Sequence, residues 1–596
     1  MSAFTYKGKD FLLNDKKFVI RSGAMHYFRI PSAYWEDRLL KLKQCGFNTV
    51  ETYVAWNLHE PKEGCFNFDN ELDLGKFIDI ATELGLYVIV RPGPFICAEF
   101  DFGGYPAWLL SYKNIKLRCS HPLYLEKVTN FFNKLFDILI PRLITNGGNI
   151  LMLQIENEYG SFGNDKIYLK NLVDIYRRLG ADCLLFTSDG PMEYLLEAGT
   201  YTSECLPTIN FGGATEERME LFKSWLNGAN QPLMCAEFWC GWFDYWHVKR
   251  PQSRTAETII KELEVFMKND YSFNIYMFHG GTNFGFTNGA TDVVENNYHA
   301  VTTSYDYCAP LTEAGDFTDK YYAIREMFKK YGVDVPKLTV KNQEKRAYGE
   351  VEFTSKASLF ESLETIGNIS FGCLPYYMEE VGQTSGYILY EIDIPKFSKP
   401  QECEQSVYSK PLKLVNCFDR AIVFIDGEKI GTYERGVDKE AVFDQAVCRA
   451  GAKVQILVEN TGRINYGHDI YTRKGLEEVR FGVITFYGYK TVSLPMDNLE
   501  KLSYGKLTNC DETPAFYKGK FFVDKVCDTF IKPTGFTKGF IVINGINIGR
   551  FYNTAGPQKT LYLPAPYLKK GENEIIIFES DKVNQLKVEF CAKTEE

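Results

Sequence analysis

An alternation running through the first 330 residues of this 596-residue chain limits its fold more than any other feature. Short apolar runs at 18–22, 49–55, 86–91, 150–155, 184–188, 208–211, 232–237 and 273–278 read as buried strands. Between them lie stretches of helical periodicity at 35–44, 71–84, 124–145, 165–179, 215–227 and 255–269, with a weaker one within 191–206. Eight buried strands with intervening helices predict a (β/α)8 barrel with long loops. A doubly wound sheet would place a glycine-rich phosphate turn after the first strand. Arg21-Ser22-Gly23-Ala24-Met25-His26 is not such a turn.

The texture changes after about residue 340. A charged connector at 337–350 leads into strand-like runs separated by Gly, Asp and Asn turns, without strong helical patterns, which is the pattern of β-sandwiches. An internal repeat supports two of them. Phe424-Ile425-Asp426-Gly427-Glu428-Lys429-Ile430-Gly431 aligns with Ile543-Asn544-Gly545-Ile546-Asn547-Ile548-Gly549, and each copy reads as a hairpin around an Asp-Gly or Asn-Gly turn. The expected organisation is therefore a barrel over 1–340, a first sandwich over 341–485 and a second over 486–596. The strands between 345 and 370 are free to pair with either sandwich.

Composition narrows the partners. A net charge of −10 without a long basic run gives no footprint for nucleic acid or an anionic membrane. No run of about 20 apolar residues is present to span a bilayer. The N-terminus lacks the apolar core of a signal peptide, so a cytoplasmic protein with mostly reduced thiols is expected. None of the 16 cysteines stands at C-x-x-C spacing, and no H-x-H pair follows the first strand, so neither a metal nor another cofactor is expected. Aromatic residues make up 15% of the chain, compatible with rings that stack on sugars.

On a barrel, chemistry is expected where strands end. The fourth strand runs into Glu156-Asn157-Glu158-Tyr159-Gly160, the seventh into Glu237-Phe238-Trp239, and the third into Arg91-Pro92-Gly93-Pro94-Phe95-Ile96-Cys97-Ala98-Glu99. An ionisable group ending an apolar strand is costly unless it is paired or used. Strands four and seven lie nearly opposite each other, and carboxylates facing across the mouth suit glycoside hydrolysis, which needs one acid and one carboxylate. Alternation places Gln154, Glu156 and Glu158 on one face, so periodicity alone does not choose between the two glutamates. Glu158 lies farther out, and Glu156 reads as a supporting group behind the site or as an ion-pair partner. Glu99 either contacts substrate or pairs with Arg91 or a lysine.

Those segments closely resemble glycoside hydrolase family 35, the retaining β-galactosidases. The likeness extends through Gly103-Gly104-Tyr105-Pro106-Ala107-Trp108-Leu109, Gly23-Ala24-Met25-His26-Tyr27-Phe28-Arg29, Glu51-Thr52-Tyr53-Val54-Ala55-Trp56-Asn57 and Thr303-Ser304-Tyr305-Asp306-Tyr307. The tail resembles the family's galactose-binding-like jelly rolls. The resemblance implies Glu158 as acid/base and Glu237 as nucleophile. Tyr53, Cys97, Ala98, Glu99, Asn157 and Tyr307 would hold the sugar, Tyr305 would partner the nucleophile, and Trp242 would stand near the entrance. Trp239 falls where the family varies, and Cys308 departs from the aspartate of some relatives. The implied activity is exo-hydrolysis of terminal β-galactose, with a homodimer plausible. An exo-β-glucosaminidase on the same fold and a non-catalytic carbohydrate-binding protein are the alternatives. Aromatic clusters at 465–467 and 486–489 are candidates to reach over the site from the sandwiches.

Overall fold

The computed structural model describes residues 3–249, 254–293, 297–395, 411–444, 451–467, 469–482, 484–507 and 514–594. Eight strands close into one parallel barrel: β1 (Arg21–Met25), β2 (Thr49–Tyr53), β3 (Tyr87–Arg91), β4 (Ile150–Gln154), β5 (Leu184–Asp189), β6 (Cys205–Phe211), β7 (Met234–Trp239) and β8 (Ser272–His279). Every residue of β2, β4 and β8 is buried, because the barrel interior lies on one side and the helical ring on the other. That two-sided burial is why the strands read as continuous apolar runs.

The first strand begins three residues later than expected. Lys16–Phe18 instead closes a three-stranded meander with Phe4–Lys7 and Asp10–Leu13. Phe4 and Phe11 of that meander pack with Ile20, Leu151, Met152 and Phe186, plugging the N-terminal end of the barrel. β1 itself carries small residues, and a Cβ on Gly23 would stand 2.7 Å from Leu42 and 2.8 Å from Phe278. The apolar signal of 18–22 thus belongs largely to the plug.

Helices Trp35–Cys45, Leu74–Glu83, Pro122–Leu139, Lys166–Arg178, Glu193–Gly199, Thr215–Trp225 and Ala256–Asn269 fill the expected crossovers. Asp319–Lys330, for which the sequence reading has no counterpart, completes the ring after a long loop leaving β8. Among the described residues no helix is long and apolar enough to cross a membrane.

Two sandwiches follow, but their sheets cut across the expected 485/486 boundary. The first has a six-stranded sheet ordered Asn368–Gly372, Tyr489–Leu494, Tyr387–Asp393, Lys453–Glu459, Arg420–Ile425 and Glu428–Glu434. The second is ordered Gly505–Lys506, Glu352–Ser358, Ala515–Val523, Gly571–Glu579, Lys538–Ile543 and Ile546–Tyr552. Tyr489–Leu494 therefore pairs inside the first sandwich, and Glu352–Ser358 pairs inside the second. Between those swapped strands runs a helix absent from the sequence reading, Leu359–Ile366, whose Leu359, Leu363 and Ile366 join the apolar layer between the two sandwiches. Both repeated hairpins form, with positive φ at Asp426 and Gly427 (50° and 83°) and at Asn544 and Gly545 (50° and 87°). Two residues in that region are what a tight turn matching strand twist requires.

Candidate active site

The carboxyl ends of the barrel strands converge on a cavity of about 430 Å³. Its floor is built from Tyr53 at the end of β2, Asn157 after β4, Glu237 on β7 and Tyr276 on β8, with the Cys97–Ala98–Glu99 segment as one side. All of these except half-buried Glu99 are buried.

Glu237 receives three donors. Arg91 Nη2 lies 2.6 Å from Oε1, the Tyr53 hydroxyl donates to the same oxygen at 2.9 Å, and the Trp239 indole N–H donates to Oε2 at 3.0 Å. Arg91 also donates to Asn157 Oδ1 at 2.6 Å and to Gln154, with its guanidinium stacked 4.1 Å over the Tyr53 ring. The single Tyr53 proton is shared between Glu237 and Asn157 Oδ1, which stands 2.8 Å away. Beneath them, Glu51 lies 3.7 Å from Arg91 Nε, and burial pushes its carboxyl up to about 7.

Glu158 has a different setting. The chain leaves β4 at Gln154 and turns through left-handed conformations at Glu156 (φ 62°) and Glu158 (φ 44°). Its backbone is fixed on both sides, by Glu156 N–H donating to Gly93 O and by Glu158 N–H donating to Ser188 O, each 3.1 Å. Alternation therefore stops before the two glutamates, and they part company. Glu156 turns into a bidentate pair with Arg118, 2.8 Å at each oxygen, while Glu158 faces the cavity. The Asn210 amide on β6 donates to Glu158 at 3.1 Å. Burial, and next the negative charge of Glu237, push the Glu158 carboxyl up to about 8, with the Asn210 bond pulling the other way. Charge on the two carboxylates is thus coupled across one cavity.

The Cys97–Glu99 segment holds three successive left-handed residues, φ 55°, 53° and 50°. Arg29 secures it by donating to Ala98 O at 2.6 Å, while its guanidinium stacks 3.9 Å over the Tyr305 ring. Tyr305 does not partner Glu237, the expected nucleophile. It is buried behind the cavity and donates to Glu99 Oε2, whose carboxyl burial pushes up to about 7. The partners of Glu237 are instead Arg91, Tyr53 and Trp239. Nor does Glu99 pair with Arg91, which is occupied by Glu237, Asn157 and Gln154. Gly241 and Gly280 let the 305–307 segment lie on the barrel top, since a Cβ on either would fall 1.7 Å from the Tyr307 or Tyr305 carbonyl oxygen.

Tyr53, Cys97, Ala98, Glu99, Asn157, Glu158, Glu237, Trp242 and Tyr307 all border the cavity, and Tyr305 supports it from behind. Arg91, Asn210 and Tyr276 were not among the expected site residues. Arg91 and Asn210 carry the same signal that exposed the glutamates, a polar group ending an apolar strand. One sandwich cluster reaches the site and the other does not. Ile464–Gly467 pairs with Ala290–Asp292 of the loop after β8, which brings Tyr466 into the cavity wall and Asn465 Nδ2 to 3.4 Å from Cys97 Sγ. Tyr487 is exposed, and Tyr489 is buried with its hydroxyl accepting from Val479 N–H at 3.2 Å. Among the described residues no three His, Cys, Asp or Glu side chains gather as metal ligands.

Comparison with known proteins agrees with this architecture. Residues 10–331 match the family described as glycosyl hydrolases family 35, residues 375–495 a β-galactosidase first all-β domain, and residues 514–573 a β-galactosidase galactose-binding domain. The chain is 36% identical to β-galactosidase 17 of Arabidopsis thaliana, over 97% of this chain and 87% of that protein. It is 38% identical to β-galactosidase-1-like protein 2 of Homo sapiens, over 96% and 89%. It is also 38% identical to the β-galactosidase of Mus musculus, over 96% and 91%.

Proposed function

The chain belongs to glycosyl hydrolase family 35 and is a glycoside hydrolase; from that premise we propose that it is a retaining exo-β-galactosidase. The observation that carries the reading is the contrast between two carboxyl groups on one cavity. Glu237 collects three donors, as suits a nucleophilic carboxylate, whereas Glu158 has one and is pushed up to about 8, as suits an acid.

In this mechanism a terminal galactose occupies the floor, with Asn157 toward its 2-hydroxyl. Glu237 attacks the anomeric carbon as the bond to the leaving oxygen breaks, and Glu158 gives that oxygen its proton. Water then enters, loses a proton to Glu158 and displaces Glu237, releasing β-galactose with retained configuration. The buried floor favours removal of end residues over internal cleavage. Small oligosaccharides and glycan termini are the substrates proposed, and the free thiols of Cys45, Cys97, Cys183, Cys205, Cys235 and Cys240 suit a reducing cytoplasm.

The test compares nitrophenyl β-galactoside, β-glucoside, β-glucosaminide and α-galactoside. The β-galactoside alone should be cleaved quickly, and Glu237→Gln should lower the rate by at least about 10³-fold, since covalent catalysis is lost. Preferred cleavage of the β-glucosaminide would transfer the reading to an amino sugar. Silence on all four would overturn it.

A further inference from the structure

β5 ends in Ser188 and Asp189, and both hold the turn that carries Glu158. The Ser188 carbonyl accepts the Glu158 N–H at 3.1 Å, and Asp189 Oδ1 accepts the Gly160 N–H at 2.8 Å. The Ser188 hydroxyl also donates to Asn210 Oδ1, which leaves the Asn210 amide N–H turned toward Glu158. Glu158 has a left-handed backbone (φ 44°), a strained state for a residue other than glycine. Bonds at Glu158 and two residues beyond it keep that state in place.

A carboxylate is an unfavourable choice for such an anchor. Asp189 is 1% exposed, its Oδ2 has no hydrogen-bond partner among the described residues, and a Cβ on Gly199 would fall 1.9 Å from Oδ1. An amide oxygen would accept from Gly160 without burying a charge. The nearest cations are engaged with other groups: Arg118 pairs bidentately with Glu156, and Lys166 donates to the carbonyl oxygens of Glu197 and Thr200, each at 2.5 Å. Burial pushes the Asp189 carboxyl up to about 7, against about 8 for Glu158. Asp189 therefore ionises first, and its charge acts on a neighbour that is still protonated. Across the cavity Glu237 acts in the same sense and Arg91 in the opposite one. Tyr53, Cys97 and Tyr466 border the same space and stay neutral through this range, because burial pushes each of them up.

We propose that Asp189 is a positioning residue for the acid, a buried carboxylate that anchors the turn bearing Glu158 and by its negative charge keeps the proton on the Glu158 carboxyl. The inference rests on the reading of Glu158 as the acid and adds the group that maintains it.

Asp189→Asn keeps an acceptor for the Gly160 N–H and removes only the charge. The high-pH limb of kcat/KM for lactose should move to lower pH by about half a unit, since losing a like charge makes the proton easier to release. The deficit relative to wild type should then widen to about threefold above pH 8. Dinitrophenyl galactoside, whose leaving group needs no proton, should show no such widening. At pH 8 the variant should unfold no lower in temperature than the wild type, because an unpartnered charge has left the interior. An unmoved limb, an equal widening on dinitrophenyl galactoside, or a variant that unfolds well below the wild type would overturn the role of Asp189 and leave the acid reading standing. Glu158→Gln tests that reading separately and should abolish the limb on lactose. A limb that survives in Glu158→Gln would overturn the acid assignment, and this inference with it.

Discussion

Glu158 and Glu237 were visible in the sequence because a carboxylate ending an apolar strand has to be paired or put to use. Their roles follow from neighbours that come from other strands. In the proposed mechanism Glu158 acts while protonated, so kcat/KM for lactose should fall as pH rises through about 8, measured as a pH–rate profile. Replacing it by Gln should lower that value about 10²- to 10⁴-fold, the usual worth of a general acid. A dinitrophenyl galactoside, whose leaving group needs no proton, should lose far less. Arg91 ends β3 under the same rule, but sequence alone could not say that it reaches Glu237 and Glu51 rather than Glu99. Arg91→Met should destabilise the protein by about 3–5 kcal/mol in denaturant titration, because buried carboxylates lose their cation.

Elements were most legible where burial is two-sided. The eight barrel strands announce themselves as apolar runs, and β1, which begins three residues later than its run, is made of small residues next to a more apolar plug. Loop conformation left no such trace. Cys97-Ala98-Glu99 contains no glycine, yet all three residues take positive φ and are held by Arg29 from the turn after β1. That conformation makes a branched side chain costly at the middle position. Ala98→Val should lose roughly 1–3 kcal/mol of stability and reduce galactoside kcat/KM, whereas Ala98→Gly should retain both, as read by thermal unfolding and initial rates.

For the molecule as a whole, pairing partners were the least legible property, since an apolar strand does not name its neighbour. Tyr489–Leu494 and Glu352–Ser358 each sit in the sandwich farther away in the expected division. Charged groups then cross every boundary: Lys538 of the second sandwich lies 2.8 Å from Glu459 of the first, and the buried Arg463 backbone donates to Asp101 of the barrel at 2.7 Å. A fragment of residues 1–340 should therefore be inactive on nitrophenyl β-galactoside, and co-expression with residues 341–596 should restore cleavage. The pairing of Ile464–Gly467 with Ala290–Asp292 skips one residue, since Ala290 stands opposite Ile464 and Thr291 opposite Tyr466. Asn465 is the extra residue of that irregularity, and it reaches Cys97 while Tyr466 stays on the cavity wall. Deleting Asn465 would make the two strands pair evenly and would take an amide away from the Cys97–Glu99 segment, so the smoother strand would hold the sugar's doorway less firmly.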